Sequence, residues 1–238
     1  MATSNSNNFS ITRDDIITGA LRLCGAVAMG ETPTTAQVTE SAQTLNMLVK
    51  AWNADGMALW ALKEYTLDLT LSAQTYNVGL GQTVNINKPL KITQAILHDT
   101  QTNVDIPMRI ITRDEYNRLG NKTTTGQPIQ IYYEPLRDYG ILHVYPPANS
   151  AAVSYKQIKF TYMRPFEDFD ASTDEPDFPQ EWFDALKYGL ASRLAGEYGI
   201  SMDDRKQLQQ EAVMLKNEAL GFGTEEGSFW ITPDYRKY

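Results

Sequence analysis

Apolar residues near the start of the chain recur at helical spacing. Ile16, Ile17, Ala20, Leu21, Cys24 and Val27 fall on one face of an amphipathic helix of about four turns. Thr12 suits its N-cap: the hydroxyl accepts a backbone N–H, Asp15 closes the reciprocal capping box, and Asp14 and Asp15 lie at the positive helix end. Met29-Gly30-Glu31-Thr32-Pro33 breaks the pattern. A second helix, capped near Thr34 or Thr35, carries Val38, Ala42, Leu45, Leu48, Val49 and Trp52 inward and stops at Asp55-Gly56. Two such helices joined by a short turn form an antiparallel pair, and one apolar face is left needing a partner.

From Tyr65 the period changes to two. Leu67, Leu69 and Leu71 alternate with Asp68, Thr70 and Ser72, as on a half-buried strand. Further strand-like runs cover Thr83 to Ile86, Lys91 to His98, Pro128 to Tyr133, Ile141 to Tyr145 and Lys156 to Tyr162. Turn-forming clusters such as Gly79-Leu80-Gly81 and Pro146-Pro147-Ala148-Asn149 separate them. A short helix from Thr112 to Leu119 interrupts, with Thr112 and Glu115 spaced as a capping box.

Helical spacing returns after the acidic, turn-rich stretch Glu167 to Asp177. Pro179 is placed at a first helical position, and Trp182, Phe183, Leu186, Leu190, Leu194 and Tyr198 form the apolar stripe of a third helix. Beside them Ala185, Gly189, Ala191, Ser192, Ala195 and Gly196 are small enough for another helix to approach closely, and Gly199 ends the run. Ser201 with Asp204 opens a fourth helix, with Leu208, Ala212, Leu215 and Ala219 inward and Gly221 as its C-cap. The last stretch has no helical period but carries Phe229, Trp230, Ile231, Tyr235 and Tyr238. Free tails usually shed such residues. They therefore read as a segment that docks, either back on its own bundle or on a neighbouring chain.

The expected fold is α+β: a four-helix bundle from N- and C-terminal helical pairs, with an inserted antiparallel β-sandwich or barrel-like module and an extended C-terminal tail. The expected divisions are a flexible arm at 1–10, bundle segments at 11–57 and 177–221, a β domain at 58–166, an acidic linker at 167–176 and a docking tail at 222–238. Leu21, Leu45, Trp52, Trp182, Leu186, Gly189, Leu190 and Leu194 are the candidates for packing within the bundle or between subunits.

Composition narrows the function. The 238 residues are 42% hydrophobic and 21% charged, an ordinary globular balance that excludes collagen-like and low-complexity filaments. No window approaches the ~20 apolar residues of a membrane span, and the polar start MATSNSNNFS does not read as a signal peptide. The lone Cys24 precludes an internal disulfide and fits a protein made in a reducing cytosol, as a small buried hydrophobe. With 29 acidic against 21 basic residues, the net charge of -8 opposes a general grip on nucleic acid, though not a wall that DNA slides past. His98 and His143 lack neighbours at metal-ligand spacing and read as structural. No phosphate loop, dinucleotide fingerprint or nucleophile elbow occurs. Glu167, Asp168 and Asp170 read as a solvated linker rather than a glycosidase acid and base. No catalytic residue, metal or cofactor is expected.

Several blocks, in order, carry a resemblance. Ala20-Leu21-Arg22-Leu23-Cys24-Gly25 precedes Leu48-Val49-Lys50-Ala51-Trp52-Asn53-Ala54-Asp55-Gly56; then come Arg113-Asp114-Glu115-Tyr116, Gly126-Gln127-Pro128 and Leu142-His143-Val144-Tyr145-Pro146-Pro147. Phe178-Pro179-Gln180-Glu181-Trp182-Phe183-Asp184-Ala185-Leu186 completes the set. Over about residues 11 to 221 the chain resembles the head-to-tail adaptor proteins of short-tailed bacteriophages, also called tail tubular protein A or tail accessory factor. The resemblance implies a non-enzymatic virion protein of the tail or neck, made in the host cytoplasm. It implies a homo-dodecameric ring beneath the portal protein, with helical bundles side by side and a C-terminal extension reaching the portal. DNA would pass through its channel without specific binding. A downstream nozzle, tube or fibre protein would attach below. Two other classes stand beside this reading: a β-rich capsid decoration or fibre-anchoring module, in which Leu59 to Arg164 folds and binds alone, and a virion-associated cell-wall hydrolase using Glu115 or Glu167.

Overall fold

A computed structural model describes residues 5–55 and 59–222. Among them the chain is mixed α+β, with six α-helices and two four-stranded sheets. It divides into two compact units: one gathers the chain up to Leu45 and from Phe169 onward, the other is Asn46–Asp168.

In the first unit, α1 (Arg13–Leu23) begins as its sequence dictates. The Thr12 hydroxyl accepts the Asp15 N–H at 3.3 Å, and the Asp15 carboxylate accepts the Thr12 N–H at 3.0 Å. The helix is shorter than the periodicity suggested. Gly25 adopts φ +66°, and the Gly25 and Ala26 N–H groups bond back to Arg22 and Leu21 carbonyls, a left-handed stop that only a glycine enters without strain. Val27 is still buried, but from the following turn. In α2 (Thr35–Asp55) Thr34 is the cap: its hydroxyl accepts the Gln37 N–H at 3.3 Å, and the Gln37 side chain accepts the Thr34 N–H at 2.9 Å. Pro179 does not open the third long helix; it precedes a 3₁₀ turn, Gln180–Trp182, and the helix proper follows as Phe183–Leu194. That helix ends before Tyr198, which lies in the turn leading to Gly199 at φ +67°. The last helix, Met202–Phe222, is opened by Ser201, whose hydroxyl accepts the Asp204 N–H at 3.2 Å. Gly221 is not its cap, since the helix continues through it to Phe222.

The second unit holds both sheets. One is ordered β1 (Leu62–Asp68), β8 (Lys156–Met163), β3 (Lys91–Asp99), β4 (Val104–Pro107), antiparallel throughout. The other is ordered β2 (Thr75–Val78), β7 (Gly140–Tyr145), β6 (Gln130–Pro135), β5 (Arg109–Ile110), antiparallel except for the β5–β6 pair. Inward residues of both sheets share one apolar core, including Leu67, Val78, Leu97, Ile131, Leu142, Ile158 and Phe160. The expected strand from Thr83 to Ile86 does not form. Only Val84 makes an isolated bridge, to Val78, because the segment caps the end of β2 instead of running beside a strand. Leu71 is likewise not on a strand: β1 stops at Asp68, and Leu71 is exposed in the turn beyond. Two short helices belong to this unit, α3 (Arg113–Arg118) and α4 (Ser150–Tyr155), the second capped by the Asn149 side chain accepting the Ala152 N–H at 2.9 Å. The helices Phe183–Leu194 and Met202–Phe222 are α5 and α6.

Candidate interaction surfaces

α5 is the centre of the helical unit, packing against both α1 and α6. Its Ala185, Leu186, Gly189, Leu190, Ala191 and Leu194 are buried, and Ala195 just beyond the helix is buried too. The approach of α1 is close: a Cβ on Gly19 would lie 3.0 Å from the Lys187 stem. The Cys24 thiol donates to the Ala191 carbonyl at 3.2 Å, and burial pushes its pKa up to about 11, so it is a packed group and a poor nucleophile. Leu21, Leu45 and Trp182 are buried, while Trp52 is half-buried. Ala185, Gly189, Ala191 and Ala195 of the small-residue face are thus covered within the chain, whereas Ser192 is half-buried and Gly196 is exposed. What α6 leaves outward is a different stripe, with Val213 and Met214 more than half exposed beside Lys206, Gln210 and Asn217. The sequence reading missed this stripe, because two apolar residues among polar ones give no periodic signal.

On the second sheet, α3 covers the outer face. Tyr116 of α3 packs against Tyr132 and His143, whose ring centroids lie 5.6 and 4.8 Å from its own, and Tyr132 stacks on His143 at 5.2 Å. Arg113 Nε donates to the Tyr132 hydroxyl at 2.9 Å and its Nη2 to Glu134, which also meets His143 Nε2 at 3.3 Å. These groups bind α3 to the sheet. His98, on the first sheet, pairs with Asp105 at 2.7 Å.

Two of the carboxylates weighed for acid–base chemistry, Glu115 and Asp168, are engaged elsewhere. Glu115 accepts the Thr112 N–H at 2.8 Å and an Arg109 N–H at 2.9 Å, and the Thr112 bonds hold its pKa below the usual range. A glycosidase acid needs the opposite shift. Asp168 pairs with Lys50 at 2.6 Å. Asp174 accepts the Asp170 and Ala171 N–H groups at 2.8 and 2.6 Å, as a turn former does.

Phe229, Trp230, Ile231, Tyr235 and Tyr238 lie outside the described residues. A family model described as SU10 adaptor protein matches residues 11–226, nearly the whole chain. The chain belongs to that family. It is therefore a phage structural adaptor protein, a virion component that works through contacts with other virion proteins. The match begins beside the Thr12 cap of α1 and runs past the end of α6, so both helical segments and the sheets between them are parts of the SU10 adaptor pattern. No curated protein matches the chain. No described helix is long and apolar enough to cross a membrane.

Proposed function

We propose that this SU10 adaptor is a head-to-tail connector: twelve copies form a ring beneath the portal, prolong the DNA channel and hold the next tail component. The family match over residues 11–226 carries this reading. In it, the helices at 11–57 and 177–221 form a four-helix bundle, the adaptor core. Residues 58–166 form an inserted antiparallel sandwich, with 167–176 as linker. The core shared by the two sheets and the packing of α1 and α6 on α5 are consistent with this.

Ring closure needs two unlike patches on each copy. Because Ala185, Gly189 and Ala191 of α5 are buried within the chain, the outward stripe of α6 around Val213 and Met214 is a helical patch open to a neighbour. The segment carrying Phe229, Trp230, Ile231, Tyr235 and Tyr238 is the second, docking on the portal or on a neighbouring copy, since large aromatics give contact area at low entropy cost. The net charge of -8 lets the channel wall repel DNA and keep it mobile. A chain truncated after Gly221 should stay folded and fail to join portal-bearing heads. Joining with normal efficiency would overturn the assignment of the C-terminal segment.

A further inference from the structure

The two sheets have four outer strands, and three are shielded. β2 is flanked by Val84, whose N–H donates to the Asn77 carbonyl at 2.9 Å and whose carbonyl accepts the Gly79 N–H at 3.0 Å. β5 has only two residues. β4 has four, and the Met108 N–H donating to the Ala95 carbonyl at 2.9 Å fixes which of them face the sheet. Ile106 and Val104 bond to β3, while Asp105 and Pro107 face outward, and proline offers no N–H.

β1 differs. It runs seven residues, pairs only with β8 among the described residues, and contains neither proline nor a register shift. The Arg164 N–H donates to the Ala61 carbonyl at 2.9 Å. In the Leu62↔Met163 register this makes Lys63, Tyr65 and Leu67 the residues bonded to β8. The N–H and C=O groups of Leu62, Glu64, Thr66 and Asp68 therefore point away from the sheet, with no strand beyond them among the described residues. Such an edge is a template for strand addition.

We propose that this edge takes up, as an added strand, residues Ser228–Thr232 of a second copy of the chain. The proposal rests on the docking role of the C-terminal segment and names its receiving site. Ser228-Phe229-Trp230-Ile231-Thr232 is the stretch of that segment richest in β-forming residues, bounded by Gly227 and Pro233. Extended, it presents Phe229 and Ile231 on one face and its two hydroxyls with Trp230 on the other. β1 has the matching division: Tyr65 and Leu67 are opposite Phe160 and Ile158 of the core, whereas Glu64, Thr66 and Asp68 are on the solvent face. Charge sets the direction. Parallel seating brings Glu225 and Glu226 toward Lys63 and Arg236 and Lys237 toward Asp68, while the antiparallel alternative sets the two glutamates against Asp68. A free edge on one copy and a strand from the next are unlike patches, so the contact propagates around a ring.

Residue-resolved hydrogen exchange on the full chain tests this. The Glu64 and Thr66 amides should exchange at least about tenfold more slowly in the native chain than in Ile231→Pro, whose proline blocks strand addition. Thr66→Pro, which removes an N–H that β8 does not use, should abolish the protection of Glu64 and leave the amides of Ile158 and Phe160 protected. Equal rates at Glu64 and Thr66 in the native chain and Ile231→Pro would overturn the proposal. So would protection that survives dilution to the mass of a single chain, because the strand would then come from the same copy. If Ile231→Pro leaves those rates unchanged yet no longer joins portal-bearing heads, the β1 site fails and the docking role stands. If joining is unaffected as well, both fail.

Discussion

Replacing Gly140 by alanine should damage the second sheet through one neighbour, Tyr133. Gly140 opens β7 opposite Pro135 and has no positive φ, so its need for glycine is steric rather than conformational. A methyl group there would come within 2.6 Å of Cζ of Tyr133 and closer still to its hydroxyl. The ring has little freedom to move: it is half-buried, its hydroxyl donates to the Pro89 carbonyl at 2.7 Å, and burial pushes its pKa up to about 12. Overpacking of this kind costs about 1–3 kcal/mol. Displacing the ring also forfeits the bond to Pro89, for about 0.5–1.5 kcal/mol. The expected loss is therefore about 2–4 kcal/mol, read as a lower urea midpoint at unchanged slope. In a Tyr133→Ala background the methyl meets no ring, so the same substitution should cost less than about 0.5 kcal/mol. A similar loss in both backgrounds would refute the reasoning, and so would a negligible loss in the native chain.

Leu186→Ala, at a fully buried position of α5, should cost about 2–5 kcal/mol and lower the melting temperature; a change below about 0.5 kcal/mol would mean that α5 is not the packed centre of its unit. Thr112→Ala should weaken α3 by about 1 kcal/mol, seen as faster amide exchange over Arg113–Arg118. The same cap has a pH signature. The folded pKa of Glu115 lies below its unfolded value, so its contribution is complete above about pH 4.3 and is lost as pH falls through the lower folded value. Thr112→Ala should flatten that acid limb, and an unchanged profile would contradict the assignment.

Where local chemistry decides structure, the sequence was legible. The Thr12, Thr34, Thr112 and Ser201 caps form as their spacing requires, because the partners are three residues away and need no tertiary context. Longer-range decisions were not legible. Leu71 and Val84 have strand-like neighbours, but whether a partner strand runs beside them depends on distant segments. Asn149 looked like part of a turn and instead caps α4. The proposed interaction surfaces were the least legible. The outward stripe of α6 has only two apolar residues, and the open edge of β1 is a property of backbone pairing that side-chain pattern does not encode.

The central claim, a ring that connects head to tail, is tested most directly by the mass of the purified protein in solution, with and without portal, by light scattering. The account predicts a portal-bound species carrying twelve copies of the 26.8 kDa chain. A stable oligomer of another symmetry, with a mass indifferent to portal, would contradict it.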